Sequence, residues 1–385
     1  MPKMQQTKDR SIRNSARLLM LVLIVLICYM LQSIIVPIIF SVILSVLLHP
    51  LSDRFEKWGF NRAFSSLTSL LIAILVLAGI GYLIVSQTIN IGQDATDIVY
   101  KIKSLFMRIL EWVSDKFNMS TNDLIQRLES EMGNSASSIG GYATSIINSI
   151  GNSLAYGLLV PIMIFFFLYY REFFREFFFR VFSQTPQEKV EEVLSKIYEV
   201  LQNYLVGLIS VMGIVAVLNT VGLMILGIEY AWFFGILAAM LTIFPYIGIF
   251  IGSLIPALFA LATKDSAWYA LGVVLWFQLV QTLEGNFITP KIVGGKASLN
   301  PLVSLLSFFL GGMLFGIAGM ILALPLLAML KIIFDSMPQT APYGFLLSEP
   351  DDSYILTEKQ TKKRKLKENK KNRKESEKDS TDEID

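Results

Sequence analysis

The sequence predicts an all-α integral membrane protein of about eight membrane segments, with two broken or re-entrant segments in the C-terminal half. Three observations predict it. Of the 385 residues, 54% are hydrophobic and only 17% charged, against about 25% charged in soluble domains. The deficit is concentrated in uncharged runs: Arg17 to His49, Arg62 to Asp94, Glu131 to Arg171, Glu199 to Glu229, Glu229 to Lys264 and Lys296 to Lys331. Such runs suit helices that rise 1.5 Å per residue across a hydrocarbon core about 30 Å thick. Finally, the two longest apolar segments carry glycine and proline near their middles.

Taken in order, residues 1–17 form a basic N-terminus ahead of an uncleaved first span. Residues 18–86 hold the first three spans. Leu18–Leu48 is too long for one comfortable span and is interrupted by Gln32, Ser33 and Pro37, which predicts a tight helical hairpin running on through Trp58. Ala63–Ser86 is the third span. Residues 87–150 are a polar insert with an amphipathic helix marked by Ile98, Ile102, Leu105, Ile109 and Val113.

The C-terminal bundle, 151–334, begins with a span from Leu154 to Tyr170. The stretch from Tyr169 to Arg180 has the composition of an aromatic belt with snorkelling arginines. Thr185, Pro186 and Glu188 open an amphipathic helix, 185–201, that continues into the next span. Ala231–Thr263, Ala267–Leu283 and Pro301–Phe334 complete the body, and residues 335–385 form a charged, disordered tail. With the N-terminal hairpin in place, Lys and Arg near the span ends put both termini and Arg171, Arg175 and Arg180 in the cytoplasm, and the 87–150 insert outside.

Ala231–Thr263 breaks at Pro245-Tyr246-Ile247-Gly248, and Pro301–Phe334 at Gly311, Gly312, Gly316 and Gly319. Either segment fits a kinked span or a re-entrant hairpin. Paired discontinuous helices mark transporter binding sites, although Gly312 and Gly316 also suit a small-xxx-small packing face. Between the breaks lies a polar segment: Gln278, Gln281, Thr282, Glu284, Asn286 and Thr289, ending at Pro290. A carboxylate at membrane depth needs a cavity or a partner, so Glu284 is the leading coupling or substrate group. His49 and Glu229 read as interfacial residues.

One Cys28 and one His49 exclude a disulfide framework, a Cys/His metal cluster and a histidine-assisted nucleophile. No cofactor, metal or enzyme activity is expected. The basic tail has no folded nucleic-acid module around it; it is either solvated or rests on anionic lipid. The expected partners are the bilayer, a small solute coupled to protons or sodium, and no nucleic acid. A non-transporting scaffold is the rival from another class, with the amphipathic helices as its partner surfaces.

Pro245-Tyr246-Ile247-Gly248 is similar to the proline–aromatic–glycine break of the AI-2E (autoinducer-2 exporter) family. The run from Glu284 and Asn286 through Ile288, Pro290, Ile292 and Gly294 to Leu299-Asn300-Pro301 resembles its hallmark stretch. Gly311-Gly312 through Gly319, then Leu324-Pro325-Leu326, extend the likeness. Asn300 stands where a histidine is expected, and Ile249 where a second proline is common. The resemblance implies a multi-pass protein of the bacterial inner membrane that forms homo-oligomers. It implies export of autoinducer-2 or another small molecule, with monovalent cation/proton antiport as the alternative. The implied pathway lies between Pro245–Gly248, Gln278–Asn286 and Asn300–Gly316, with Pro301, Gly311 and Gly312 among its residues.

Overall fold

A computed structural model describes residues 15–16, 19–20, 22–117, 154–244, 247–292 and 299–350 of the chain. Among these residues every element is helical: α1 Gln32–Lys57, α2 Arg62–Phe117, α3 Leu154–Tyr169, α4 Arg171–Val181, α5 Gln187–Ile225, α6 Ala231–Leu241, α7 Ile247–Thr263 and α8 Ala267–Leu283. A π-helical turn, Glu284–Ile288, leads into α9 Thr289–Ile292, then α10 Pro301–Ser336 and α11 Ala341–Leu347.

The tight hairpin expected within Leu18–Leu48 is replaced by a kink. Residues 22–30 are helical, and Leu31 alone departs from helix geometry, at φ −95° and ψ 16°. Its N–H still bonds to the Ile27 carbonyl, and its own carbonyl accepts from Ile35, both at 2.9 Å. One residue so held bends a helix without reversing it. Gln32, Ser33 and Pro37 lie inside α1. The helix passes through Pro37, and one turn on Ser41 Oγ donates to the Pro37 carbonyl at 2.7 Å and lies 3.3 Å from the Val160 carbonyl of α3.

Helix α1 turns back into α2 through residues 58–61, where Asn61 Oδ1 accepts from the Phe64 N–H at 2.8 Å. Ser41, Ser45 and Ser52 on α1 and Ser65, Ser66 and Ser69 on α2 are all buried. Within lipid there is little hydrophobic drive between helices, so small residues that permit close backbone approach hold them. The expected third span, ending at Ser86, and the start of the insert at Gln87 lie on one helix. Helix α2 runs unbroken for 56 residues, about 84 Å, so the first part of the insert continues the third span. Residues 118–150 lie outside the described residues, as do 1–14 and 351–385.

Helix α3 meets α4 at Tyr170 with a 70° bend. Helix α5 is the spine, with 39 residues and about 58 Å of length. It begins with the expected amphipathic stretch and continues into a span. The main buried cluster forms along its far half, where Leu223 meets Phe234, Ala260, Val273 and Phe277 from α6, α7 and α8.

Both broken segments are helical hairpins. A Cβ at Gly252 of α7 would stand 3.2 Å from Cβ of Ala238 on α6, and one at Gly248 would collide with the Leu241 carbonyl. Residues fourteen apart lie about 21 Å apart along a straight helix, so the chain has doubled back. Similarly, a Cβ at Gly311 would collide with the Gly319 carbonyl and reach Ala323 Cβ at 3.4 Å. Helix α10 is therefore two arms, 301–314 and 317–336, joined at Phe315 (φ −130°) and Gly316 (φ 61°, ψ −145°). Only glycine adopts the latter conformation without strain.

By length and composition, four helices among the described residues can cross a membrane, or five if α3 and α4 count as one broken span. The expected eight segments are not reached because α6, α7 and α8 have 11, 17 and 17 residues. Of the four, α10 reaches its length only by joining two arms. The tail begins later than expected: α11 packs back on α10, with the Gly344 backbone against Asp335 and the Tyr343 ring tilted against Phe334.

Candidate functional site

The two hairpins sit at opposite ends of α5. The α6–α7 hairpin rests on its C-terminal end, where Gly235 packs against Thr220 and Ala216, and the chain between α5 and α6 passes Lys264 at Gly227. The α10 hairpin rests on the N-terminal end, where Ile333, Ser336 and Met337 share a cavity of about 480 Å³ with Val190, Val193 and Ile197. Measured along α5 from Val190 to Ile225, the two bases are separated by about 52 Å.

Between them, α8 descends from Ser266, whose Oγ caps the helix by accepting from the Trp268 N–H. Trp276 Nε1 donates to the Leu218 carbonyl at 3.1 Å and holds α8 against α5. At its lower end α8 widens into the π-helical turn at Glu284, a local geometry frequent at functional sites. Glu284 is half-buried. One carboxylate oxygen accepts from Gln281 Nε2 at 2.6 Å, and the other from Thr289 Oγ1. Such a carboxylate, held by neutral donors, can take up a proton or bind a solute's hydroxyl or cationic group.

The expected site residues divide by location. Gln281, Glu284 and Thr289 come together. Gln278, Thr282 and Asn286 line the exposed side of α8 and the turn, joined by bonds from Thr282 Oγ1 to the Gln278 carbonyl and from Asn286 Nδ2 to the Thr282 carbonyl, both 2.8 Å. Pro290 is exposed in α9. Asn300 is a helix cap: its Oδ1 accepts from the Leu302 N–H at 2.9 Å, its N–H donates to the Leu347 carbonyl, and Pro301 starts the arm. Gly248, Gly311 and Gly312 make close contacts between hairpin arms, and Gly316 forms the hairpin tip. Pro245 and Tyr246 lie outside the described residues.

Sequence reasoning missed a second polar constellation. Arg171, at the start of α4, reaches Glu56 at 2.8 Å and Asp53 at 3.2 Å on α1. One turn on, Arg175 bonds Glu191 of α5 at 2.7 Å and lies 3.5 Å from Glu172. His49 Nδ1 lies 2.8 Å from the Tyr198 hydroxyl and 3.5 Å from Asp53. Of these groups His49, Arg171, Glu172, Arg175, Glu191 and Tyr198 line a cavity of about 470 Å³ with Ser45, Leu168, Leu194 and Ser195. Arg171 and His49 are thus partners in a network tying α1, α4 and α5, rather than separate interfacial residues. The signal available in the sequence was the spacing of His49, Asp53 and Glu56, which puts all three on one helix face. No group of three or more His, Cys, Asp or Glu is placed to hold a metal among the described residues.

Comparison with known proteins agrees with this architecture. The model described as AI-2E family transporter matches residues 18–339. YrrI of Bacillus subtilis is 36% identical over 133 residues, 34% of this chain and 37% of YrrI. A protein of Haemophilus influenzae is 33% identical over 174 residues, 44% of this chain and 49% of its own length. TqsA of Escherichia coli, named an AI-2 transport protein, is 31% identical over 124 residues, 32% of this chain and 36% of TqsA. The matched stretches span between about a third and a half of each of these relatives.

Proposed function

The chain belongs to the AI-2E transporter family, and from that membership we propose that it exports a small solute across the bacterial cytoplasmic membrane by alternating access. The observation that carries the mechanism is the pair of helical hairpins based at opposite ends of α5. Discontinuous elements of this kind flank solute paths in membrane transporters, because irregular backbone at membrane depth must line a cavity or be packed in protein. In this reading the hairpin tips open the path alternately, and the π-helical turn lies on the path.

Autoinducer-2 is the first solute to test, by analogy with TqsA, an AI-2 transport protein. Glu284 is the proposed coupling group, with Gln281 and Thr289 holding its carboxylate. The same half-buried carboxylate favours a second reading, monovalent cation/proton antiport. The end bearing Arg54, Lys57, Arg62 and Arg171 faces the cytoplasm in our assignment, because Lys and Arg accumulate on that side. The exposed polar face of Gln278, Thr282 and Asn286 then meets water in the path or a second copy of the chain, since hydrocarbon would add no partner beyond the bonds these residues make within their own helix.

The test is flux in proteoliposomes, with autoinducer-2 and sodium as alternative solutes, with and without a proton gradient. Gradient-driven solute movement supports export. Sodium–proton exchange alone supports the antiport reading, and no flux of either with intact protein overturns both.

A further inference from the structure

Helix α4 has no buried residue, and its two faces differ sharply. At about 100° per residue, Phe173, Phe174, Phe177, Phe178 and Val181 fall on one face, and Arg171, Glu172, Arg175, Glu176 and Arg180 on the other, with Phe179 among them beneath the Arg175 guanidinium. The outer edge of the apolar face is open, with Phe173 68% exposed, Phe177 52% and Val181 54%, whereas Phe174 and Phe178 turn toward α5 and line its cavities with Leu194. The polar face is anchored, with Arg171 bound to Asp53 and Glu56 of α1 and Arg175 bound to Glu191 of α5.

Two dispositions fit a helix that follows an apolar span: it continues the crossing, or it turns to lie along the surface. Continuation would carry five charged side chains into hydrocarbon, where each is costly and where Arg180, 80% exposed, pairs with the exposed Glu176. The 70° bend at Tyr170 turns α4 out of the line of α3. Its Phe face is continuous with the exposed lipid-facing surface of α3, namely Leu158, Ile162, Phe166 and Tyr170, and Phe174 packs on Phe167 across the bend.

We propose that α4 is an in-plane helix seated in the headgroup–acyl boundary of the leaflet at the Arg54–Arg62 end. Phe173, Phe177 and Val181 enter the lipid while Phe174, Phe178 and the polar face hold α1 and α5. The occupant of the exposed face is the bilayer, because strong amphipathicity with balanced charge on the polar side suits an interfacial helix.

The test uses full-length protein with Cys28→Ser and single cysteines at Phe173, Glu176, Phe177, Arg180 and Val181, each spin-labelled. The protein is reconstituted into vesicles of phosphatidylethanolamine and phosphatidylglycerol. All five sites are exposed, so the labels should be tolerated; size-exclusion profiles check this. Oxygen and a water-soluble nickel chelate then report depth by electron paramagnetic resonance. The expected result is equal, shallow lipid exposure at 173, 177 and 181, with chelate access at 176 and 180. Depth rising steadily from 173 to 181 would overturn the proposal in favour of an inserted half-span. Shielding from both reagents with spin–spin broadening at 177 would overturn it in favour of a second copy covering this face. Chelate access at all five would place the helix in water and also overturn it.

Discussion

One Arg171 nitrogen, Nη2, stands 2.8 Å from Glu56 Oε2 and 3.2 Å from Asp53 Oδ1. A single guanidinium at the bend between α3 and α4 thus grips the last turns of α1, more than a hundred residues earlier in the chain. Arg171 is only 18% exposed and Glu56 23%, so the pair is partly desolvated and its loss leaves charge with little water to replace the partner.

Arg171→Gln is expected to destabilise the protein by about 2–3 kcal/mol, somewhat below the cost of breaking a fully buried pair. Arg180→Gln, which removes a solvent-exposed pair with Glu176, is expected to cost less than about 0.5 kcal/mol. Unfolding of the purified variants measures both. A double-mutant cycle with Glu56→Gln should give a coupling of about 1–3 kcal/mol. Equal effects of the two arginine substitutions would remove the network from the account.

Glycines in the hairpins should differ by what surrounds them. Gly311→Val drives a side chain into the Gly319 carbonyl and should spread the arms, lowering assembly and flux together. Gly312→Ala meets the flexible end of Met320 and should be milder. Gly316→Ala meets no neighbour but must hold a φ of 61°, at a cost of about 1–3 kcal/mol. Gly79→Ala, with nothing near it, is the neutral reference. Size-exclusion profiles and thermal unfolding rank the four; a neutral Gly311→Val would contradict the hairpin.

Much of this was legible in the sequence, and the exceptions have physical reasons. Uncharged runs located the membrane segments, and the glycine and proline positions located both breaks. What the break does was not legible: Gly311 and Gly312 suit a kink, a packing face or a hairpin equally, and only the approach of Gly311 to Gly319 decides. Pro37 misled in the opposite direction, because proline reads as an interruption while here it is buried inside a helix that continues through it. Glu284 was identified by its charge at membrane depth, but its π-helical turn has no single-residue signature. Asn300 suggested a pathway group and is instead a cap. Arg171 was read as an interfacial residue because its carboxylate partners lie far away in sequence.

Glu284→Gln is expected to leave folding intact and to flatten the pH dependence of flux, since an amide cannot exchange a proton. Thr289→Val removes one donor to the carboxylate and should reduce flux several-fold while keeping a pH dependence. Proteoliposome flux across a pH series checks both. Unchanged profiles in Glu284→Gln would reduce it to a structural residue of the π-helical turn.

The central claim is that two hairpins enter from opposite membrane faces, and sidedness of their bases tests it most directly. In a Cys28→Ser background, Asp265→Cys marks the exposed base of the α6–α7 hairpin, and Gln339→Cys the exposed base of the α10 hairpin. Intact cells are treated with a membrane-impermeant maleimide, then permeabilised and treated again. The account predicts labelling at Asp265→Cys in intact cells, and at Gln339→Cys only after permeabilisation. Labelling of both from the same side would contradict opposed hairpins and, with them, the proposed transport path.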